Sequence, residues 1–334
     1  MNEKNKIISI LRVISMLAII ILHIFSYFGI YEFGILNVFI YVFFLISGYL
    51  FSKKIIDNKK EFIKKRIKKI LLPLWVWSLF LSLYVAIFKK QIKLAATSFL
   101  ISLFNLNGLD YFFFGHHILD KYQIEGITHC WFVTAIFVCY LIMVAIKDTK
   151  IETKIENNLK SSLTISLAIQ ILLAIFINVQ ISGIITFFIG YFYFSKQKPS
   201  KQKSIALFFC TLIFGLIRIY LHTYIDEKIF YDQTIQPYFN MLASAFILTT
   251  STYLFSNNQS FNKIVNKICN NRLFVLLEEN SYFLFITHFT FIYGPLNIMM
   301  YIKNKPLQIC CFVVLSIISA YIINHICKRI NHKI

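Results

Sequence analysis

The sequence predicts an all-α integral membrane protein, a bundle of about ten transmembrane helices with both termini on the cytoplasmic side. Three observations predict it. Of 334 residues, 58% are hydrophobic and only 15% charged, more apolar surface than one soluble core of this length can use. Ten apolar stretches reach or approach the ~20 residues that cross a bilayer. Lysine and arginine gather in the short connections on one side of those stretches, as cytoplasmic loops do.

The ten stretches are 7–28, 34–52, 70–88, 130–147, 161–178, 181–195, 203–222, 237–256, 281–300 and 306–327. Lys4 and Lys6 precede the first like the start of a signal peptide, but Arg12 interrupts the apolar run and no small-residue cleavage site follows, so it reads as a retained helix. The sixth stretch is short. Residues 94–106 form an eleventh apolar piece inside the long 89–129 connection, a partial or re-entrant helix; were it to span, the later topology would invert.

With the N-terminus inside, the first inner loop collects Lys53, Lys54, Lys59, Lys60, Lys64, Lys65, Arg66, Lys68 and Lys69. Only Lys89, Lys90, Lys93, Lys121, Lys228, Lys303 and Lys305 remain outside, with Arg12 and Arg218 within helices. The formal charge of +19 is therefore a topology signal and not a nucleic-acid footprint, since no single face collects it. Seven cysteines, odd in number and without a Cys-x-x-Cys pair, read as packing residues, neither disulfide framework nor metal site. No repeat or flexible linker divides the chain, so 1–334 reads as a single transmembrane domain without an appended soluble module.

Ionisable residues inside membrane helices are costly and face a cavity or a partner. Arg12 and His23 stand eleven residues apart on the first stretch, about 16 Å of rise and close to three turns, so they share a face. The second stretch reads Phe43-Phe44-Leu45-Ile46-Ser47-Gly48-Tyr49, where Ser47 and Gly48 permit close backbone approach and Tyr49 returns a polar edge. A basic run, Lys64 to Lys69, then leads into Pro73. Such a run is an ordinary topogenic loop and also a cationic mouth for a phosphate-rich donor.

In this order the three elements resemble the acyltransferase 3 family of integral membrane acyltransferases: Arg12 and His23 in the first helix, Phe43 to Tyr49 in the second, Arg66 with Lys69 ahead of a proline-started third. The resemblance continues in His129-Cys130-Trp131-Phe132 with Tyr140 and in Ser281 to His288, covering almost the whole chain. Lys69 stands where the family has arginine, keeping charge but losing the bidentate fork.

The resemblance implies a membrane-bound O-acyltransferase of the inner (plasma) membrane. It would move an acyl group, acetyl foremost, from cytoplasmic acyl-CoA as co-substrate to a hydroxyl of a cell-surface or lipid-linked glycan. The enzyme would act alone on its acceptor or hand the acyl group to an extracytoplasmic partner acyltransferase. Arg12, Arg66 and Lys69 would hold the donor, and His23 would be the general base. Ser47, Tyr49, His129, Trp131, Tyr282 and His288 are secondary candidates.

A base needs an orienter, yet the ten stretches hold no Asp or Glu. Glu32 and Asp110 outside, or a backbone carbonyl, are the available partners. His116-His117 lacks the i, i+4 spacing of helical zinc sites and reads as a solvated loop. Arg218 and His222 sit one turn apart, a polar contact to substrate or a pair snorkelling to the outer headgroups. A transporter or flippase of a polar or lipid-linked solute would share the spans and buried cations.

Overall fold

The computed structural model describes residues 3–110, 118–177, 181–196, 198–224 and 235–333. Every regular element among them is helical. In chain order these are α1 (Glu3–Tyr27), α2 (Val38–Ser52), α3 (Lys59–Arg66), α4 (Leu72–Phe88), α5 (Ile92–Leu103), α6 (Glu125–Thr128), α7 (Trp131–Ile146) and α8 (Lys150–Asn157). There follow α9 (Leu159–Ile177), α10 (Ser182–Phe188), α11 (Lys201–Tyr224), α12 (Gln236–Asn257), α13 (Gln259–Cys269), α14 (Arg272–Thr287) and α15 (Lys305–Lys333).

Seven helices among the described residues are long and apolar enough to cross a membrane: Lys6–Tyr27, Phe33–Ser52, Lys59–Phe88, Glu125–Ile146, Leu159–Phe176, Lys201–Leu221 and Lys305–Asn331. Stretch 181–195 forms the shorter apolar helix Ser182–Phe194, and 237–256 lies within α12, a long helix diluted by Asn240, Ser244, Thr249 and Thr252. Piece 94–106 is α5, whose twelve residues rise only about 18 Å against a ~30 Å hydrocarbon core.

Two expectations are corrected. Stretch 281–300 is not one helix: α14 ends at Thr287, a 3-10 turn covers His288–Phe291, and turns follow to α15. Gly294-Pro295 supplies the reason, since proline and the residue before it disfavour helix. Nor does the third helix start at Pro73, with a basic loop before it. Asn58 caps α3 by accepting from Glu61 N–H at 3.1 Å, so the basic run is itself helical. Pro73 has no N–H to donate to Lys69, and the ladder slips into a π-turn over Ile67–Leu71, with Leu72 N–H reaching back to Ile67.

The chain forms two compact units, Met1–Ile19 with Gly34–Ile55 and Ala145–Glu278, and Ile20–Phe33 with Ile56–Val144 and Glu279–Ile334. In the first unit Ile7, Leu11, Val42, Leu45, Leu248 and Phe255 build the core. There α2 crosses the Ser182–Phe194 helix at van der Waals contact of backbones. A methyl on Gly48 would overlap the Phe187 carbonyl, and one on Gly190 the Leu45 carbonyl. The Ser-Gly pair is thus a reciprocal small-residue crossing. Lys6 Nζ closes the same unit on Asn266 Oδ1 at 2.7 Å.

In the second unit side-chain hydrogen bonds tie helices together: Trp75 Nε1 to the Ser102 carbonyl at 3.1 Å, Asn324 Nδ2 to Asn280 Oδ1 at 2.9 Å, and the Tyr282 hydroxyl to the Ile70 carbonyl of the π-turn at 2.6 Å. Each such bond in lipid is worth roughly 0.6 kcal/mol. Their use lies in fixing helix register.

Candidate functional site

The second unit brings together three histidines from distant parts of the sequence. His23 comes from the last turns of α1, His129 from the junction of α6 and α7, and His288 from the 3-10 turn after α14. Ring centroids lie 5.3 Å apart for His23 and His288, 5.0 Å for His129 and His288, and 6.5 Å for His23 and His129. Phe289 closes the group, stacked on His129 at 4.7 Å and edge-on to His23 at 4.9 Å.

The hydrogen bonds assign the tautomers. His129 Nε2 lies 2.8 Å from the Phe285 carbonyl, and His288 Nδ1 lies 2.8 Å from the same oxygen and 3.1 Å from that of Leu284. A carbonyl only accepts, so both nitrogens donate. In the neutral ring His288 therefore keeps its lone pair on Nε2, a buried atom without a hydrogen-bond partner. His129 and His288 are buried, whereas His23 is half-buried and no hydrogen bond holds it among the described residues.

The turn carrying His288 and Phe289 is pinned from two sides. Thr290 Oγ1 accepts from Trp77 Nε1 at 3.2 Å and donates to the Gly126 carbonyl at 3.0 Å. Gly126 admits no side chain, because a methyl there would overlap Thr290. One hydroxyl thus fixes the start of α6, and three residues later His129, against the turn that bears His288.

Arg66 is half-buried on α3, its guanidinium 4.8 Å from the Phe62 ring and 4.7 Å from the Tyr140 ring. A planar cation between two aromatic faces loses rotational freedom while its N–H edge stays available. Lys69 is exposed on the π-turn. Trp131, half-buried at the start of α7, packs against Gly108, and Tyr282 is committed to the Ile70 carbonyl.

Arg12, Ser47 and Tyr49 belong to the first unit. Arg12 is half-buried on α1 without a hydrogen bond or ion pair among the described residues. Ser47 and Tyr49 are half-buried on α2, and Lys53 Nζ lies 5.5 Å above the Tyr49 ring.

Of the expected orienters, Asp110 accepts from Leu119 N–H at 2.7 Å, and the Glu32 side chain lies outside the described residues, as do His116, His117 and the His222 side chain. Arg218 lies over the Phe239 ring at 5.3 Å. Sequence reasoning missed Phe289, Thr290 and Trp77. Phe289 carried no signal among 36 phenylalanines, and the other two act through partners more than 150 residues away.

A half-buried imidazole beside a buried imidazole with a vacant acceptor nitrogen can take and relay a proton, while a stacked guanidinium can bind anionic oxygens. Among the described residues no three His, Cys, Asp or Glu side chains are arranged to hold a metal ion. No curated protein and no solved structure matches the chain. Residues 5–325, nearly its whole length, match the acyltransferase domain of the acyltransferase 3 family. The chain belongs to that family of multi-pass membrane acyltransferases.

Proposed function

We propose that this enzyme O-acylates a glycan, with acyl-CoA, acetyl-CoA foremost, as cytoplasmic donor and a hydroxyl of a cell-surface or lipid-linked sugar as acceptor. The observation that carries the reading is the three-histidine cluster, in which His23 alone is half-buried and unheld. His23 is the general base and His288 its positioning residue. The hydroxyl gives its proton to His23 as its oxygen bonds to the thioester carbonyl carbon. The C–S bond then breaks, and the departing thiolate takes the proton back from the imidazolium. His288 Nε2, buried and unpartnered, is the acceptor that an orienter must supply; no carboxylate is needed.

Arg66, Lys69 and Arg12 hold the donor through its phosphates. The support is family resemblance together with the stacked pose of Arg66. The membrane is the inner (plasma) membrane. We count the Ser182–Phe194 helix, α12 and α14 with its 3-10 turn as further passes, which gives ten and, with the lysine distribution, both termini in the cytoplasm.

The test is transfer of labelled acetyl from acetyl-CoA to endogenous glycan in membranes expressing the chain. Label that depends on the chain and migrates with glycan supports the reading. Label absent from glycan while the protein is present would overturn the choice of donor or acceptor.

A further inference from the structure

The first unit contains a cavity of about 550 Å³. Its walls are apolar, formed by residues such as Leu167, Leu207, Phe214 and Leu242, but Lys198 and Lys203 also line it. No Asp or Glu does. The cavity is a half-open groove between α9, α11 and α12, and pockets of ~300–1,000 Å³ are those that enclose a ligand.

The charged end carries Lys198, which is exposed, and Lys203, which is half-buried. Lys198 and Lys203 flank the start of α11, where the Ser200 hydroxyl accepts from Lys203 N–H at 3.3 Å. That 24-residue helix adds the positive end of its dipole at the same point. Lys203 Nζ donates to the Lys198 carbonyl at 3.3 Å, holding the two lysines together. Neighbouring Lys196 is paired with Glu156 at 2.7 Å.

We propose that this cavity binds one anionic glycerophospholipid, its phosphate on Lys198, Lys203 and the α11 N-terminus and its acyl chain between α9, α11 and α12. Cavity volume and cation position agree: basic pockets between membrane helices take anionic headgroups. A zwitterionic headgroup would bring an ammonium to a site without a carboxylate, so phosphatidylglycerol binds in preference to phosphatidylcholine. The lipid acts as a structural ligand that fills α11, a helix with few buried residues of its own.

Native mass spectrometry of the purified chain, offered phosphatidylglycerol and phosphatidylcholine in equal amounts, tests this without reference to catalysis. The expected result is a single phosphatidylglycerol adduct, reduced at least fivefold in Lys198→Ala/Lys203→Ala. It should also be lost in Ala206→Trp, which fills the cavity and leaves the lysines intact. Equal adducts of both lipids, adducts unchanged in both variants, or displacement of phosphatidylglycerol by a polyprenyl phosphate would overturn the proposal.

Discussion

His129 and His288 donate to one acceptor, the main-chain carbonyl of Phe285, each at 2.8 Å. They use different nitrogens to do so, Nε2 on the first and Nδ1 on the second. The shared oxygen fixes both rings and leaves the lone pair on Nδ1 of His129 and on Nε2 of His288. That asymmetry makes the cluster testable with isosteric amides.

Glutamine places an N–H near the Nε2 position of histidine, and asparagine one near Nδ1. His129→Gln should therefore retain the bond to Phe285 and much of the activity, whereas His129→Asn should lose both. His288→Asn keeps the bond but removes Nε2. It should lower kcat about 10²-fold or more with KM for acyl-CoA little changed, as expected for a group that positions a general base. Equal activity of His288→Asn and wild type would remove His288 from the reaction.

Thr290 joins Trp77 to Gly126. Thr290→Val leaves a buried indole N–H unpaired and should destabilise the protein by about 1 kcal/mol, within the range for membrane hydrogen bonds. Activity should fall further than thermal stability alone accounts for, through kcat, because the turn bearing His288 loosens. Thr290→Ser should restore both; thermal shift in detergent and membrane kinetics read the two effects.

Gly48→Ala and Gly190→Ala each drive a methyl into a backbone carbonyl of the partner helix. A loss of about 1–3 kcal/mol is expected for overpacking of this kind, seen as lower membrane levels and an earlier melting transition. Gly34→Ala, where nothing lies within 4 Å, is the matched control and should behave as wild type.

Arg66→Lys retains charge but loses the planar face held between Phe62 and Tyr140. KM for acyl-CoA should rise about tenfold, the order of a stacked cation exchanged for an unconstrained one. An unchanged KM would take Arg66 out of donor binding.

Much of this was legible in the sequence, and the failures have physical causes. Arg12 and His23 stand out in the sequence because a charged residue and an imidazole inside an apolar run are expensive, and the Ser-Gly pair because small residues mark close helix crossings. His129 and His288 were legible only as imidazoles near helix ends, since their meeting with His23 spans more than 100 and 260 residues. Two signals were overlooked: Asn58 with Glu61 three residues on, which caps α3 and makes the basic run helical, and Gly294-Pro295, which ends the helical course after α14. The sequence offers Glu32, Asp110 or a backbone carbonyl as orienter, and no hydrogen bond to His23 occurs among the described residues. An imidazole whose tautomer depends on a distant carbonyl cannot be read from one sequence.

The most direct measurement is acyl transfer in membranes containing wild type or His23→Ala at matched protein level, with radiolabelled acetyl-CoA and endogenous glycan. The account predicts that glycan label falls to background in His23→Ala, a loss of at least about 10²-fold for removal of a general base, while binding of acyl-CoA persists. Undiminished transfer by His23→Ala would contradict it.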